Sequence, residues 1–379
     1  MADETIKLLS DLIAIDSVNP SLVPGGAGEG NIARALQAYM RAIGMDVSLE
    51  EVSAGRDNVV GVLEGREPGP ALMFCGHSDT VGVEGMTRPF DPVERNGRIY
   101  GRGSGDMKGG LAAMLGAARL IAENGGWRKG RLILAAVVDE EYQSTGAEAL
   151  VKNWKADAAV VTEPTGLAVA VAHKGFTWIE ITTEGRAAHG SRPQEGCDAI
   201  IKMGKVLTRL DLLNQKLQSR TPHALLGCPS LHASFVSGGR EMSTYPDKCV
   251  LQMERRNLSG EAESIALSEV EEILSSVRNE DPEFVGAAKL LFERSPYQTP
   301  EDHRLPAMVE KATRNAGRET RREGMTYWTD AAVLGQAGIP SVIFGPGGFG
   351  YHGLEEYVNA DEVLICRNAL VSLAREFCA

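Results

Sequence analysis

Apolar residues recur along this chain in two rhythms. Near the start, Ile6, Leu9 and Ile13 share one helical face, and Ile32, Leu36, Met40 and Ile43 share another that Gly44 terminates. Further on the rhythm changes to short unbroken runs: ALMFC (71–75), LILAAVV (132–138), AAVV (158–161) and PSVIF (340–344). Between the first two lies GGLAAMLGAARLIAE, a helix pattern of small residues. Continuous apolar runs alternating with helices predict an α/β domain, a mainly parallel sheet with helices on both faces.

The middle of the chain reads differently. TWIEITT (177–183) predicts a strand, and Ile200, Met203, Leu207, Leu210 and Leu217 mark a long helix after it. LHASFV (231–236) and CVLQMER (249–255) come after it as strands. A helix with Ile265, Val270, Ile273, Leu274 and Val277 is next, and AAKLLFE (287–293) is a last strand. That order, β-α-β-β-α-β, is the ferredoxin-like α+β plan with an antiparallel sheet. A chain of 379 residues is long enough for two cores. We place the boundaries at 1–174 and 290–379 for the larger domain, with 175–289 inserted as the smaller one.

Composition narrows the classes. A net charge of −12 argues against nucleic acid and anionic membrane as partners, both of which need basic patches. No run is long enough to span a bilayer, and the opening MADETIKLLSDL lacks the layout of a secretory signal. Cysteines 75, 197, 228, 249, 366 and 378 show no CxxC pairing, which speaks against a thiolate zinc site or a disulfide framework. The expectation is a cytoplasmic, reduced protein.

Ligands of open α/β sheets gather at the carboxyl ends of strands, so the residues just past each apolar run carry the most information about chemistry. His77 and Asp79 succeed the first run, Asp139, Glu140 and Glu141 the second, Glu163 the third, and His352 lies in the loop after the fourth. The glycine-rich YGRGSGDMKGG delivers Asp106 just before a helix. Taken singly, each has a plain structural reading: Asp106 a helix cap, Glu163 a turn residue before Pro164, the histidines hydrogen-bonded loop residues. Four independent recurrences favour a common site. Imidazole and carboxylate without thiolate suit catalytic zinc and can also hold manganese or cobalt. GRGSG is only a faint likeness to a dinucleotide loop; a turn that brings Asp106 inward accounts for it better. His173, His223, His232 and His303 carry no companion carboxylate pattern and are read as structural or exposed.

Six ordered motifs span the chain: GHSDTV, RPFDPVERNGRIYGRGSGDMKGG, VVDEEYQSTG, TEPT, AAHGSRPQEG and GPGGFGYHGLEEYV. Together they resemble the zinc-dependent aminoacylase and carboxypeptidase family that includes acetylornithine deacetylase, succinyl-diaminopimelate desuccinylase and the glutamate-releasing carboxypeptidases. The resemblance implies two zinc ions per chain, with cobalt or manganese as possible substitutes, bridged by Asp106. His77 and Glu163 would complete one site, and Glu141 and His352 the other. Asp79 would orient His77 from its far nitrogen, Glu140 would be the general acid/base, and His189 of the inserted lid would stabilise the oxyanion in a partner's site, implying a homodimer through the lid. Arg256, or its neighbour Arg255, would grip a substrate carboxylate. Two departures stand out. Ser243 occupies a lid position where many relatives have asparagine, and the bulky GFGYHG approaches the last histidine.

The implied activity is hydrolysis of an N-acyl amino acid, most like acetylornithine deacetylase. The alternatives are a succinyl-diaminopimelate desuccinylase-like deacylase and a carboxypeptidase or dipeptidase. Glu163 in place of aspartate resembles the branches whose substrates carry a free carboxylate. Two other classes compete: an idle metal-binding scaffold, disfavoured because Glu140 is kept, and a nicotinamide-dependent oxidoreductase, resting on GRGSG alone.

Overall fold

The unbroken apolar runs become the middle of one sheet. A computed structural model describes residues 3–127 and 129–378, and chain contacts divide them into two units. The first comprises Met1–Val171, Thr299–Glu323 and Thr329–Ala379; the second comprises Ala172–Gln298 and Gly324–Trp328.

In the first unit the strands Asp46–Ser53, Arg56–Glu64, Lys129–Val137, Glu67–His77, Ala158–Val161, Ser341–Ile343 and Val169–His173 lie side by side in that order. The four from Lys129–Val137 to Ser341–Ile343 pair parallel. The flanking strands pair antiparallel, so the sheet is parallel only at its centre. The leading hairpin, Asp46–Glu64, escaped the apolar-run criterion because DVSLEEVS is an acidic strand exposed at alternate positions. Leu72, Phe74, Leu132, Leu134 and Val160 face a helical layer that includes Glu4–Ile13, Gly30–Ala42, Gly109–Glu123 and Ala360–Phe377. Met73, Cys75, Ile133 and Val161 point the opposite way, as alternation requires, and are equally buried. Small residues let the Gly109–Glu123 helix sit close to the strand ends: a Cβ on Gly110 would lie 1.9 Å from the Thr162 carbonyl oxygen.

The second unit has the expected β-α-β-β-α-β order. Its strands run Ser230–Gly238, Lys248–Asn257, Gly175–Glu184, Val285–Arg294 across the sheet, each pair antiparallel. The helices Ala199–Gln218 and Ile265–Glu280 share a core with the strands through Met203, Leu210, Val270 and Leu274 against Ile179, Ile181, Leu251 and Met253. The expected boundary at 289/290 needs correction. It would cut the Val285–Arg294 strand, whose ladder with Gly175–Glu184 continues to Arg294, so the unit extends to Gln298 and also takes in Gly324–Trp328. Among the described residues no helix is long and apolar enough to cross a membrane.

Candidate metal centre

Parallel neighbours end on the same edge of a sheet, and that edge collects the polar residues. His77 closes the Glu67–His77 strand, Glu140 and Glu141 come after Lys129–Val137, and Glu163 after Ala158–Val161. His352 comes from the loop after Ser341–Ile343, with a left-handed backbone (φ 60°) uncommon for a residue with a side chain. Asp106 arrives through a turn that needs glycine: Gly103 has φ +76°, and a Cβ there would lie 2.6 Å from Thr80 Cγ2.

Asp106 divides its carboxylate between two groups. Its Oδ1 lies 3.1 Å from His77 Nε2, and its Oδ2 lies 3.3 Å from His352 Nε2. Glu163 Oε1 stands 3.6 Å from His77 Nε2, and Glu141 Oε2 stands 3.1 Å from His352 Nε2. His77, Asp106 and Glu163 thus form one cluster spaced for a cation, and Asp106, Glu141 and His352 form a second. The donor set fits divalent metal: imidazole nitrogen and carboxylate oxygen, with Glu141 Oε1 buried and lacking a hydrogen-bond partner. His77 Nδ1 lies 3.0 Å from the main-chain carbonyl of Asp79. A carbonyl only accepts, so that nitrogen carries the proton in the neutral ring, and Nε2 turns a lone pair toward Asp106 and Glu163. Glu140 differs from the others. Its Oε2 is 4.0 Å from His77 Nε2, and it belongs to neither cluster.

Electrostatics show how poorly the centre is balanced without cations. Burial opposes charging of His77, yet Glu163, Asp106, Asp79 and Glu140 outweigh it and hold its pKa well above the ordinary value. Contacts with Asp106 and Glu141 raise His352 to about 10. Burial raises Glu140, Glu141 and Glu163; Glu163 adds to the shift of Glu140, and Asp106 to those of Glu141 and Glu163. Asp106 goes the other way: its burial is outweighed by His352 and His77, which hold it low. Divalent cations bound here would compete with these protons.

Further acids support the centre; Glu356 lies inside the last motif without an expected role, and Asp330 lies in no motif. Glu356 is buried and accepts from Arg102 Nη1 at 2.7 Å, from the backbone of Gly103 and Gly105 at 2.9 Å each, and from Asp106 N at 3.0 Å. It clamps the loop that presents Asp106. Asp330, also buried, contributes to the raised pKa of Glu140 and Glu163. Asp79 Oδ1 is 3.5 Å from His77 Nδ1, while its carboxylate accepts from Glu140 N at 3.2 Å and Glu141 N at 3.1 Å. Asp139 is the structural acid of the DEE triplet, bonded to Arg56, Asn19 and Thr145. Its φ of 68° turns the chain, so Glu140 and Glu141 diverge through a left-handed turn and not through strand alternation.

His189 and Arg256 belong to the second unit. His189 is exposed, and its Nδ1 accepts from Ser191 N at 3.2 Å, which leaves the proton of the neutral ring on Nε2. Ser243 supports that loop by its backbone, its carbonyl accepting from Gly190 N at 2.7 Å. Arg255 is fully buried and bonded to Glu261, Glu269 and Asn257. Arg256 is half-buried, donates from Nε to Glu254 at 2.6 Å and lies 5.3 Å over the Phe176 ring. His173 is buried, its Nδ1 on the Lys174 carbonyl, and burial pushes it down to about 4.

A parallel-centred sheet whose strand ends gather two cation-spaced clusters around one shared aspartate makes a candidate dinuclear metal centre. The chain belongs to peptidase family M20/M25/M40, whose model matches residues 73–376. It is 28% identical to acetylornithine deacetylase of Proteus mirabilis over 383 aligned residues, 98% of this chain and 96% of that one. It is likewise 28% identical to that of Photorhabdus laumondii, covering 98% and 97%. Among solved structures, aminopeptidase PepT from Bacillus cereus superposes with a TM-score of 0.82 at 20% identity, covering 98% of both chains. The M20 metallo-carboxypeptidase Sso-CP2 from Sulfolobus solfataricus gives 0.81 at 17%, covering 99% of each. YXEP of Bacillus subtilis, a dinuclear metal-binding M20 peptidase, gives 0.76 at 16%, covering 98% of this chain and 97% of that one.

Proposed function

We propose that this chain is a di-zinc amidohydrolase that removes the acyl group from an N-acyl amino acid, with acetylornithine as its first candidate substrate. The observation that carries the reading is the split carboxylate of Asp106, one oxygen to each His-carboxylate cluster, with Glu140 beside them and outside both. His77, Asp106 and Glu163 would hold one ion and Asp106, Glu141 and His352 the other; cobalt or manganese suits the same donors. When bound, such a pair supplies Lewis acidity, lowering the pKa of water and polarising the amide carbonyl.

Glu140 takes the proton of the attacking water and delivers it to the leaving amine. A carboxyl raised by burial is suited to both halves of that transfer, because its affinity for the proton sits nearer neutrality. Asp79 keeps Glu140 and Glu141 in place through their backbone amides. His189, with its proton on Nε2, donates to the developing oxyanion without needing to be charged. Arg256 offers a planar guanidinium to the substrate's free carboxylate. The working molecule is a homodimer through the second unit, in which His189 serves the other subunit's centre. Six unpaired cysteines suit a reducing cytoplasm.

A hydrolysis panel tests the reading. N-acetyl, N-succinyl and N-formyl amino acids, including acetylornithine and succinyl-diaminopimelate, are assayed beside dipeptides with zinc, cobalt and manganese. The account expects metal-dependent release of a free amino acid, fastest with acetylornithine. Fastest turnover of succinyl-diaminopimelate or of dipeptides would reassign the substrate to a desuccinylase or a peptidase. No hydrolysis with any metal would refute the activity.

A further inference from the structure

A buried polar cluster behind the metal centre holds the segment that carries Glu140. Asn19, Glu29, Arg56, Asp79 and Asp139 lie on separate stretches of the first unit, and none is more than 8% exposed. Arg56 donates to Glu29 from Nε at 2.7 Å and from Nη2 at 2.5 Å, and the same Nη2 reaches Asp139 Oδ1 at 3.0 Å. Asn19 Nδ2 donates to Asp79 Oδ2 at 2.8 Å and to Asp139 Oδ1 at 3.1 Å. Its orientation is determined, because Asn19 Oδ1 accepts from Ser21 N at 2.9 Å, which leaves the NH2 end for the carboxylates.

The cluster reaches the catalytic segment through the backbone. Three consecutive amides are held by its carboxylates: Asp139 N by Glu29 at 3.2 Å, Glu140 N by Asp79 at 3.2 Å and Glu141 N by Asp79 at 3.1 Å. Asp139 sits at φ 68°, a backbone conformation disfavoured for a non-glycine residue, so the segment needs external hold to stay there. Three buried carboxylates, from Glu29, Asp79 and Asp139, would repel one another. Arg56 compensates two of them directly, and the Asn19 amide ties the third to the group.

We propose that Arg56 and Asn19 are positioning residues for the general base, acting through Glu29, Asp79 and Asp139 to fix the 139–141 backbone. The proposal rests on Glu140 being the proton carrier. It adds that the placement of Glu140 is set from the side of the sheet edge away from the metals, by residues that touch neither metal nor substrate.

The test uses Arg56→Lys, which keeps the charge and loses the two-armed bond, and Asn19→Ser, whose single hydroxyl donor cannot span two carboxylates. Amide hydrogen exchange of metal-free protein reads the clamp without activity: exchange at 139–141 should accelerate by about tenfold or more while the sheet core is unchanged. With zinc held saturating, kcat on the panel's best substrate should fall about 10–100-fold, as for supporting partners of metal ligands, with KM unchanged. On a Glu140→Gln background the same substitutions should change the residual rate little, because the group they position is gone. Unchanged exchange at 139–141 in both variants would overturn the clamp. A kcat loss of the same size on the Glu140→Gln background would overturn the action through Glu140. If Glu140→Gln alone keeps full activity, the reading of Glu140 fails, and the exchange result still decides the clamp. Should Arg56→Lys not fold, Asn19→Ser carries each comparison.

Discussion

Glu356 makes the plainest case at the scale of single residues. One buried carboxylate accepts from three backbone amides and Arg102, and it thereby shapes the loop that ends in the shared Asp106. Glu356→Gln replaces one acceptor oxygen with a donor facing backbone N–H groups, so at least one amide loses its partner. Because Asp106 serves both clusters, zinc affinity at both sites should drop, by about 10–100-fold each, the usual cost of losing a ligand's support. Competitive chelator titration measures it; loss at one site alone would show that the two clusters are held separately. The five residues that the structure gathers into two clusters stood out as candidates because each comes just after an apolar run or in a glycine-rich loop, while their division into two ligand sets came from the family resemblance. Asn19 and Arg56 did not stand out, and Glu356, though inside the last motif, carried no expected role. Glu356 acts 250 residues from Asp106, and Asn19 acts 120 from Asp139, so no local spacing announces them.

Elements were legible in proportion to their burial. The parallel strands at the sheet centre are apolar on both faces and gave unmistakable runs, whereas the acidic, half-exposed Asp46–Ser53 strand did not; Arg56–Glu64 is largely buried, but Asn58 and Gly61 interrupt its run. The Val285–Arg294 strand shows the same limit, since its mixed exposure hid where the second unit ends. Ser230–Gly238 lies at the edge of that unit's sheet, and Phe235 and Val236 on it are 72% and 61% exposed. On the nearby Ala199–Gln218 helix, Ile201 and Leu212 are exposed and eleven positions apart, close to three full turns, so they share a face. An apolar edge strand beside an apolar helix face is a surface that a second copy can cover by continuing the sheet. Val236→Lys should turn the proposed homodimer into a monomer in sedimentation velocity. A dimer of unaltered strength would place the interface elsewhere.

At the scale of the whole molecule, stability should follow the protonation of the centre. His77 and His352 have pKa values raised above the ordinary 6.5, the latter to about 10, so the stability they contribute is fully present below about pH 6.5 and fades as pH climbs through their folded values. Glu140 and Glu163 are also raised, and their forced ionisation weakens the metal-free fold in the same direction. Metal-free protein should therefore lose thermal stability between about pH 6.5 and pH 10, and zinc should abolish most of that slope. Zinc binding near pH 7 should release protons, those of His77 and His352 among them, measurable by calorimetry in buffers of different ionisation enthalpy. A flat pH profile without metal, or binding without proton release, would contradict the picture of protons standing in for cations. The most direct test of the central claim is the zinc content and turnover of Glu140→Gln measured on one preparation. The account predicts two zinc ions per chain, as in the unaltered protein, with kcat down by about 10²–10⁴-fold. Two bound zinc ions with turnover undiminished would contradict it.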